Sequence, residues 1–323
     1  MAENYGLPYT GSKSRIAHWV IDHLPRGRVL IDAFAGGCAI THRALLSQKW
    51  QTVIANDING EYPQLFADAM RGKYRDERRW ISREDFERLK SKDAFVACCW
   101  SFGNTLRHYM YSQGIEPYKR ALHYAIVFDD FAPMQELMPE VAQAVHDALQ
   151  GQNNLHDRRI TAQKVIVKTL KRLTDDNFAY PIIQSNPLYQ TIQHTSRNAP
   201  SLQRLQSLES LQRLQRLQSL QSLQSLRVTS LSYDEIDIPD GAVVYCDPPY
   251  HASDKRLYEG TARFDHNAFY DWCVRVSKTN PIFISEYSIE DDRFEVVAEK
   301  QKMTSESQVK SSIVTERLYT VKQ

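Results

Sequence analysis

Short apolar runs that stop on a polar or acidic side chain recur at both ends of this chain. Arg28-Val29-Leu30-Ile31-Asp32-Ala33-Phe34 reads as a buried strand, followed by the small-residue turn Ala35-Gly36-Gly37 and a helix from about Ile40 to Gln48. Thr52-Val53-Ile54-Ala55-Asn56-Asp57 is a second strand ending on a carboxylate, which completes a βαβ unit. Near the other end, Ala242-Val243-Val244-Tyr245-Cys246 and Pro281-Ile282-Phe283-Ile284-Ser285 read as two more strands, with a helix near Asn267 to Lys278 between them. Continuous apolar strands alternating with helices predict an α/β fold, a doubly wound and mostly parallel sheet.

Between these ends the texture changes. From about Glu61 to Leu226 the pattern is mainly helical. Ser82-x-x-Asp85 forms a capping box with Ile81 and Phe86 as its hydrophobic staple, so a helix is expected to start at Ser82. A second is expected from Arg158 to Leu173, with Ile166, Leu170 and Leu173 on one stripe and Lys164, Lys168 and Lys171 on another face. In Ser201 to Leu226 a leucine recurs every third residue. A period of three matches neither 3.6 nor 3.5 residues, so on an α-helix these leucines would spiral around the surface, and the segment reads as a variable-length linker or irregular helix joining the insert to the sheet domain, with a partner-binding arm as the functional alternative. The expected organisation is therefore a sheet domain built from residues 1–60 and 227–323, a helical insert over 61–200, and a low-complexity Leu-x-x linker over 201–226.

Composition narrows the picture only a little. The chain has 323 residues, 42% hydrophobic and 24% charged, enough for one large domain and a smaller one. Its net charge of +1 means that any binding of nucleic acid must come from local basic clusters. Five cysteines without a C-x-x-C pair give no disulfide framework and no zinc site. No apolar stretch is long enough to span a bilayer, and the expectation is a soluble, cytoplasmic protein.

Candidate chemistry concentrates at the strand ends. The paired prolines of Asp247-Pro248-Pro249-Tyr250 stop their strand abruptly and hold Asp247 extended at its carboxyl end, where open α/β sheets bind ligands. Prolines lack the N–H, so a carboxylate and backbone carbonyls form a cluster of acceptors beside an aromatic ring, suited to a planar amino group. The turn Phe34-Ala35-Gly36-Gly37 lets backbone pass close to a ligand, and Asp57 stands twenty positions after Gly37, the spacing at which an acid meets ribose hydroxyls. Both features suit an adenosine-containing cofactor without choosing among such cofactors.

In order along the chain, these residues resemble the Dam-like, D12 class of N6-adenine DNA methyltransferases. Tyr9-Thr10-Gly11-Ser12-Lys13 is similar to that family's N-terminal motif and Asp32-Ala33-Phe34-Ala35-Gly36-Gly37 to its cofactor motif. Asn56-Asp57 matches the ribose-binding acid and Asp247-Pro248-Pro249-Tyr250 the catalytic motif, while Phe264 and Ile284-Ser285-Glu286-Tyr287 fall where later family elements stand. The resemblance implies a Rossmann-like methyltransferase sheet with an inserted target-recognition domain, S-adenosylmethionine as cofactor, and adenine extruded from double-stranded DNA as target. It implies Asp247, Pro248, Pro249 and Tyr250 as catalytic residues. The cofactor would be held by Tyr9, Lys13, Asp32, Phe34, Ala35, Gly36, Gly37, Asp57, Ser232, Tyr233 and Asp247. Besides DNA, the partner such an enzyme can have is a companion restriction endonuclease.

Two positions depart from the family pattern. Cys38 occupies the last glycine of F-x-G-x-G, and Ser232-Tyr233 stands where an acid and an aromatic are usual, with Asp234 following as a substitute acid. In the insert, Arg71, Lys73, Arg75, Arg78 and Arg79, then Arg107, Lys119 and Arg120, are candidates for phosphate contact. Trp100-Ser101-Phe102-Gly103-Asn104 offers either a base contact through Asn104 or packing around Trp100. The rival readings are a methyltransferase acting on cytosine N4 or a protein glutamine, and a catalytically inactive DNA-binding protein.

Overall fold

Both β1 (Val29–Asp32) and β4 (Val243–Cys246) are buried at every position, because each contributes alternate side chains to two covered faces. The computed structural model describes residues 4–175, 205–221, 225–250, 264–307 and 310–323. It is a mixed α/β structure around a seven-stranded sheet of order β3-β2-β1-β4-β5-β7-β6. Besides β1 and β4, these strands are β2 (Thr52–Asn56), β3 (Ser225–Thr229), β5 (Ile282–Glu286), β6 (Phe294–Ser307) and β7 (Lys310–Val321). The first five run parallel, while β7 pairs antiparallel with both β5 and β6. The four strand cores read from sequence are β1, β2, β4 and β5; the β6–β7 hairpin and β3 were not foreseen.

Order decides where a ligand can sit. From β1 the chain steps outward to β2 and β3, then returns to β4 on the other side of β1. The crevice at the carboxyl ends of β1 and β4 is thus a topological switch point. Asp32 ends β1 and lies opposite Tyr245, two residues before Asp247. Beneath it, Val29, Ile31, Ala242, Val244, Ile282 and Ile284 pack with Phe269 and Cys273 of the helix His266–Val276.

The chain divides into two compact units, one of residues 1–75 and 214–323, the other of 76–213. The first unit thus runs on to Arg75, past the residue 60 expected from the sequence. The reason is local: the amphipathic helix Glu61–Met70 buries Leu65, Phe66 and Met70, and Gln215 donates to the Tyr74 and Arg75 carbonyls. The second unit is helical. Its helix Arg83–Leu89 is capped by Ser82, whose hydroxyl accepts from Asp85 N, with Ile81 and Phe86 buried. Trp80 stacks on Tyr111 and meets Trp100 and His123 edge-on, so Trp100 serves packing.

Over the part that the structure describes, the leucine repeat is helical. Gln206–Arg216 is an α-helix and Leu217–Leu220 a 3₁₀ turn, and Leu205, Leu208, Leu211, Leu214, Leu217 and Leu220 are all at most 4% exposed. Along an α-helix a period of three drifts by about 60° per triplet, which a broad apolar face tolerates over three turns. The 3₁₀ turn, with three residues per turn, then stops the drift. Leu226 itself belongs to β3. Leu202 and its neighbours 201–204, like residues 222–224, lie outside the described residues, as do the side chains of Leu170, Lys171 and Leu173 in the helix Leu155–Asp175.

The expected basic cluster is partly neutralised by neighbouring acids. Arg71 and Lys73 pair with Asp68, and Arg79 pairs with Glu77. Lys119 is 1% exposed, with its ammonium 5.7 Å from the Tyr111 ring centroid, so it is a core side chain and not a phosphate contact. None of the five cysteines forms a disulfide, and all are buried. Among the described residues no helix is long and apolar enough to cross a membrane, and no cluster of side chains could hold a metal ion.

Candidate active site

A cavity of about 520 Å³ opens at the switch point. Its walls bring together most of the residues singled out above: Tyr9 and Lys13, the β1 turn from Asp32 to Gly37, Asp57, Ser232 and Tyr233, then Asp247, Pro249 and Phe264. Pro248 is buried beside it and Tyr250 is half-buried, neither lining the cavity.

The glycine turn is shaped by close approach. A Cβ on Gly37 would stand 2.5 Å from the Tyr9 Cβ, and Gly36 is left-handed with φ +45°. Cys38 is also left-handed, φ 58° and ψ 34°, which explains why glycine suits this position. Its side chain is fully buried, and the helix Ala39–Ser47 starts directly after it, so the turn survives the departure.

Three acids surround the cavity in different states. Asp32 is 1% exposed; its Oδ2 accepts from Thr41 N at 3.1 Å and from Thr41 Oγ1 at 2.7 Å. Its Oδ1 has no hydrogen-bond partner among the described residues. Burial pushes the Asp32 carboxyl up to about 7, against the opposing pull of the Thr41 bonds. Asp57 accepts from Gly36 N at 2.8 Å and from Asn59 N at 2.9 Å, and burial, partly offset by these two bonds, raises its pKa. Each of its oxygens retains a lone pair for a hydroxyl donor.

Asp247 faces a cation. Lys13 Nζ lies 2.8 Å from Asp247 Oδ1, 3.8 Å from Glu316 Oε1 and 4.5 Å from the Tyr250 ring centroid. Burial alone would lower the Lys13 pKa, but the two carboxylates outweigh it and the net direction is upward. Tyr250 donates its hydroxyl to Glu316 and meets Tyr287 edge-on, ring centroids 4.6 Å apart. Burial, reinforced by Asp247 and Glu316, keeps this phenol protonated far above its usual range.

An aromatic wall closes another side. Phe34 stacks on Tyr233 at 5.8 Å and meets Phe264 edge-on at 6.0 Å. Ser232 caps the 3₁₀ turn Tyr233–Glu235 and donates its hydroxyl to Asp234. Asp234, the substitute acid expected from the sequence, is exposed and does not line the cavity.

Sequence reasoning passed over Ile58, 70% exposed at the cavity rim, and Glu316, 0% exposed on β7. Glu316 left a signal: it is an acid between Val314 and Leu318 on one face of an apolar strand.

A mostly parallel sheet with a glycine turn, Asp57 and Asp247 around one cavity at its switch point is an arrangement compatible with the Rossmann-like enzymes that use an adenosine-bearing cofactor. Residues 9–136 match the model of the D12 class N6 adenine-specific DNA methyltransferase family. Its members are DNA adenine-N6 methyltransferases that depend on S-adenosylmethionine. The matched segment includes the N-terminal motif, the glycine turn and Asp57, and ends before Asp247. No curated protein matches the chain.

Proposed function

We propose that Asp247, Pro248, Pro249 and Tyr250 form the amine site of this methyltransferase and that the glycine turn, Asp32 and Asp57 hold its cofactor. One observation carries the reading: Gly36, Gly37, Asp57 and Asp247 all line a single cavity at the switch point of the sheet. The residues fit S-adenosylmethionine. Asp32 offers a buried carboxylate oxygen for an ammonium, Asp57 has lone pairs for ribose hydroxyls, and Phe34 with Tyr233 provides ring surface for an adenine. When bound, this cofactor supplies a methyl group activated by a sulfonium sulfur.

The chain's part is positioning and electrostatics. The N6 lone pair of adenine is delocalised into its ring, which makes it a poor nucleophile. In the proposed site the Asp247 carboxylate and the Pro248 carbonyl accept the two amino hydrogens and draw the lone pair out of the ring. Tyr250 stacks on the extruded base and offsets part of the few kcal/mol that extrusion costs. No covalent enzyme intermediate is needed. The unit of residues 76–213 is proposed as the target-recognition domain, with exposed Arg120, Lys164 and Lys168 among its phosphate contacts.

The test is expression in a host that lacks adenine methylation, followed by modification-sensitive sequencing of its genome. Methyl groups on adenine N6 within one short sequence are expected with the wild-type protein and none with Asp247→Ala. Modified cytosine, or an active Asp247→Ala enzyme, overturns the assignment.

A further inference from the structure

We propose that Glu316 is a positioning residue for methyl transfer: it receives the Lys13 ammonium when a target amino group claims Asp247, and it holds the Tyr250 ring meanwhile. The inference rests on the amine-site assignment made above for Asp247 to Tyr250.

Lys13 now occupies the acceptor that the target needs. Its Nζ lies 2.8 Å from Asp247 Oδ1, with side chains 9% and 18% exposed, so the pair is partly screened from water. An ammonium is a stronger donor than a neutral amino group, so a target amine that approaches Asp247 must compete with Lys13 at Oδ1. Lys13 cannot simply leave, because a buried charge stripped of its partner costs several kcal/mol. A second anion within a small movement of the flexible lysine stem removes that obstacle. Glu316 Oε1, on a side chain 0% exposed, is 3.8 Å from the same nitrogen. A displacement of about 1 Å would give it the distance Lys13 now keeps to Asp247.

The same oxygen also accepts the Tyr250 hydroxyl. With Tyr287 against its edge and Lys13 over its face, Tyr250 is held at three points before any base arrives. A ring with two torsions, so fixed, loses little further freedom on stacking. Glu316 thereby links two events at the site, the freeing of Asp247 and the presentation of the aromatic platform. It does so from β7, a strand that runs antiparallel beside β5 and lies outside all the motifs.

The informative variant is Glu316→Gln, which preserves volume and an acceptor for the Tyr250 hydroxyl but offers Lys13 no charge. Tritiated methyl transfer to unmethylated bacterial DNA gives kcat, calorimetric titration without DNA gives the cofactor Kd, and thermal unfolding reports the fold. The expected result is a kcat about tenfold lower with a cofactor Kd within about threefold of wild type, since only the step that frees Asp247 is impaired. The double variant Lys13→Gln/Glu316→Gln should be no slower than Lys13→Gln alone, because both losses act through one ammonium.

An unchanged kcat in a folded Glu316→Gln protein overturns the proposal. So does a loss of cofactor affinity in step with kcat, which marks a merely structural role, or full additivity in the double variant. If Glu316→Gln does not fold, Glu316→Asp, which withdraws the charge without removing it, should fall between wild type and zero; wild-type turnover there also overturns the proposal. Wild-type protein that transfers no methyl group to DNA refutes the amine-site assignment as well. Inactive Asp247→Ala beside a fully active Glu316→Gln refutes this inference alone.

Discussion

Replacing Asp32 with asparagine should stabilise the cofactor-free protein at alkaline pH while weakening its hold on the cofactor. Asp32 is 1% exposed, and burial raises its pKa from 3.8 to about 7. The folded state therefore holds this proton longer than the unfolded chain, and stability falls as pH rises from about 4 to 7, then levels off. At about 1.36 kcal/mol per pKa unit, the ionised carboxylate costs the folded protein on the order of 4 kcal/mol above pH 7. About 3 kcal/mol of that accrues between pH 5 and pH 8. The asparagine side chain can accept both Thr41 bonds, at the expense of a buried amide N–H where Oδ1 stood, a penalty of about 1–3 kcal/mol that does not vary with pH.

The melting temperature of Asp32→Asn relative to wild type should thus climb by about 5 °C between pH 5 and pH 8 in scanning calorimetry. Saturating S-adenosylmethionine should reverse the order. The Asp32 carboxylate would face the cofactor ammonium, and the loss of such a charge-assisted hydrogen bond weakens binding by about 10- to 100-fold. A relative melting temperature flat from pH 5 to pH 8 would refute the electrostatic argument. Equal cofactor affinity of the two proteins would refute the ammonium contact.

Other substitutions probe different links. Asp247→Ala should lower methyl transfer by about a thousandfold or more while the cofactor Kd, measured by titration, moves little, because the carboxylate serves the amine. Gly37→Ala forces a Cβ to 2.5 Å from the Tyr9 Cβ, so a stability loss of about 2 kcal/mol and a weaker cofactor complex are expected from denaturant unfolding and titration. Leu208→Ala should cost about 2–4 kcal/mol in denaturant unfolding, since this side chain is 0% exposed; a loss under about 0.5 kcal/mol would restore the linker interpretation of the repeat.

What was legible in the sequence were the features whose physics is local. An apolar run that stops at or just before a polar or acidic side chain needs no distant contact to be recognised, and β1, β2, β4 and β5 each carry that mark. The glycine turn and the double proline are equally local, because a close approach or a missing N–H limits the residue type wherever the chain goes. The leucine triplets misled because period-three reasoning assumes a uniform α-helix, whereas this segment passes from α-helix to 3₁₀ turn and keeps Leu205 through Leu220 buried. Lys119 misled because charge was read without its face: on the helix Glu116–Phe128 it shares the buried side with Tyr118, Leu122 and His123.

The strand pattern marks Glu316 as an acid on an apolar face, but its partners were illegible for a deeper reason. Its meaning depends on Lys13 and Tyr250, residues 303 and 66 positions away, which meet it only once β7 has paired beside β5. A strand residue acquires such a role through sheet order, and sheet order is the property that single-strand patterns do not carry. A motif names the carboxylate that meets the target. The neighbour that must release it is chosen by topology, and the same division should hold wherever an acidic group at a switch point is held by a lysine before its substrate arrives.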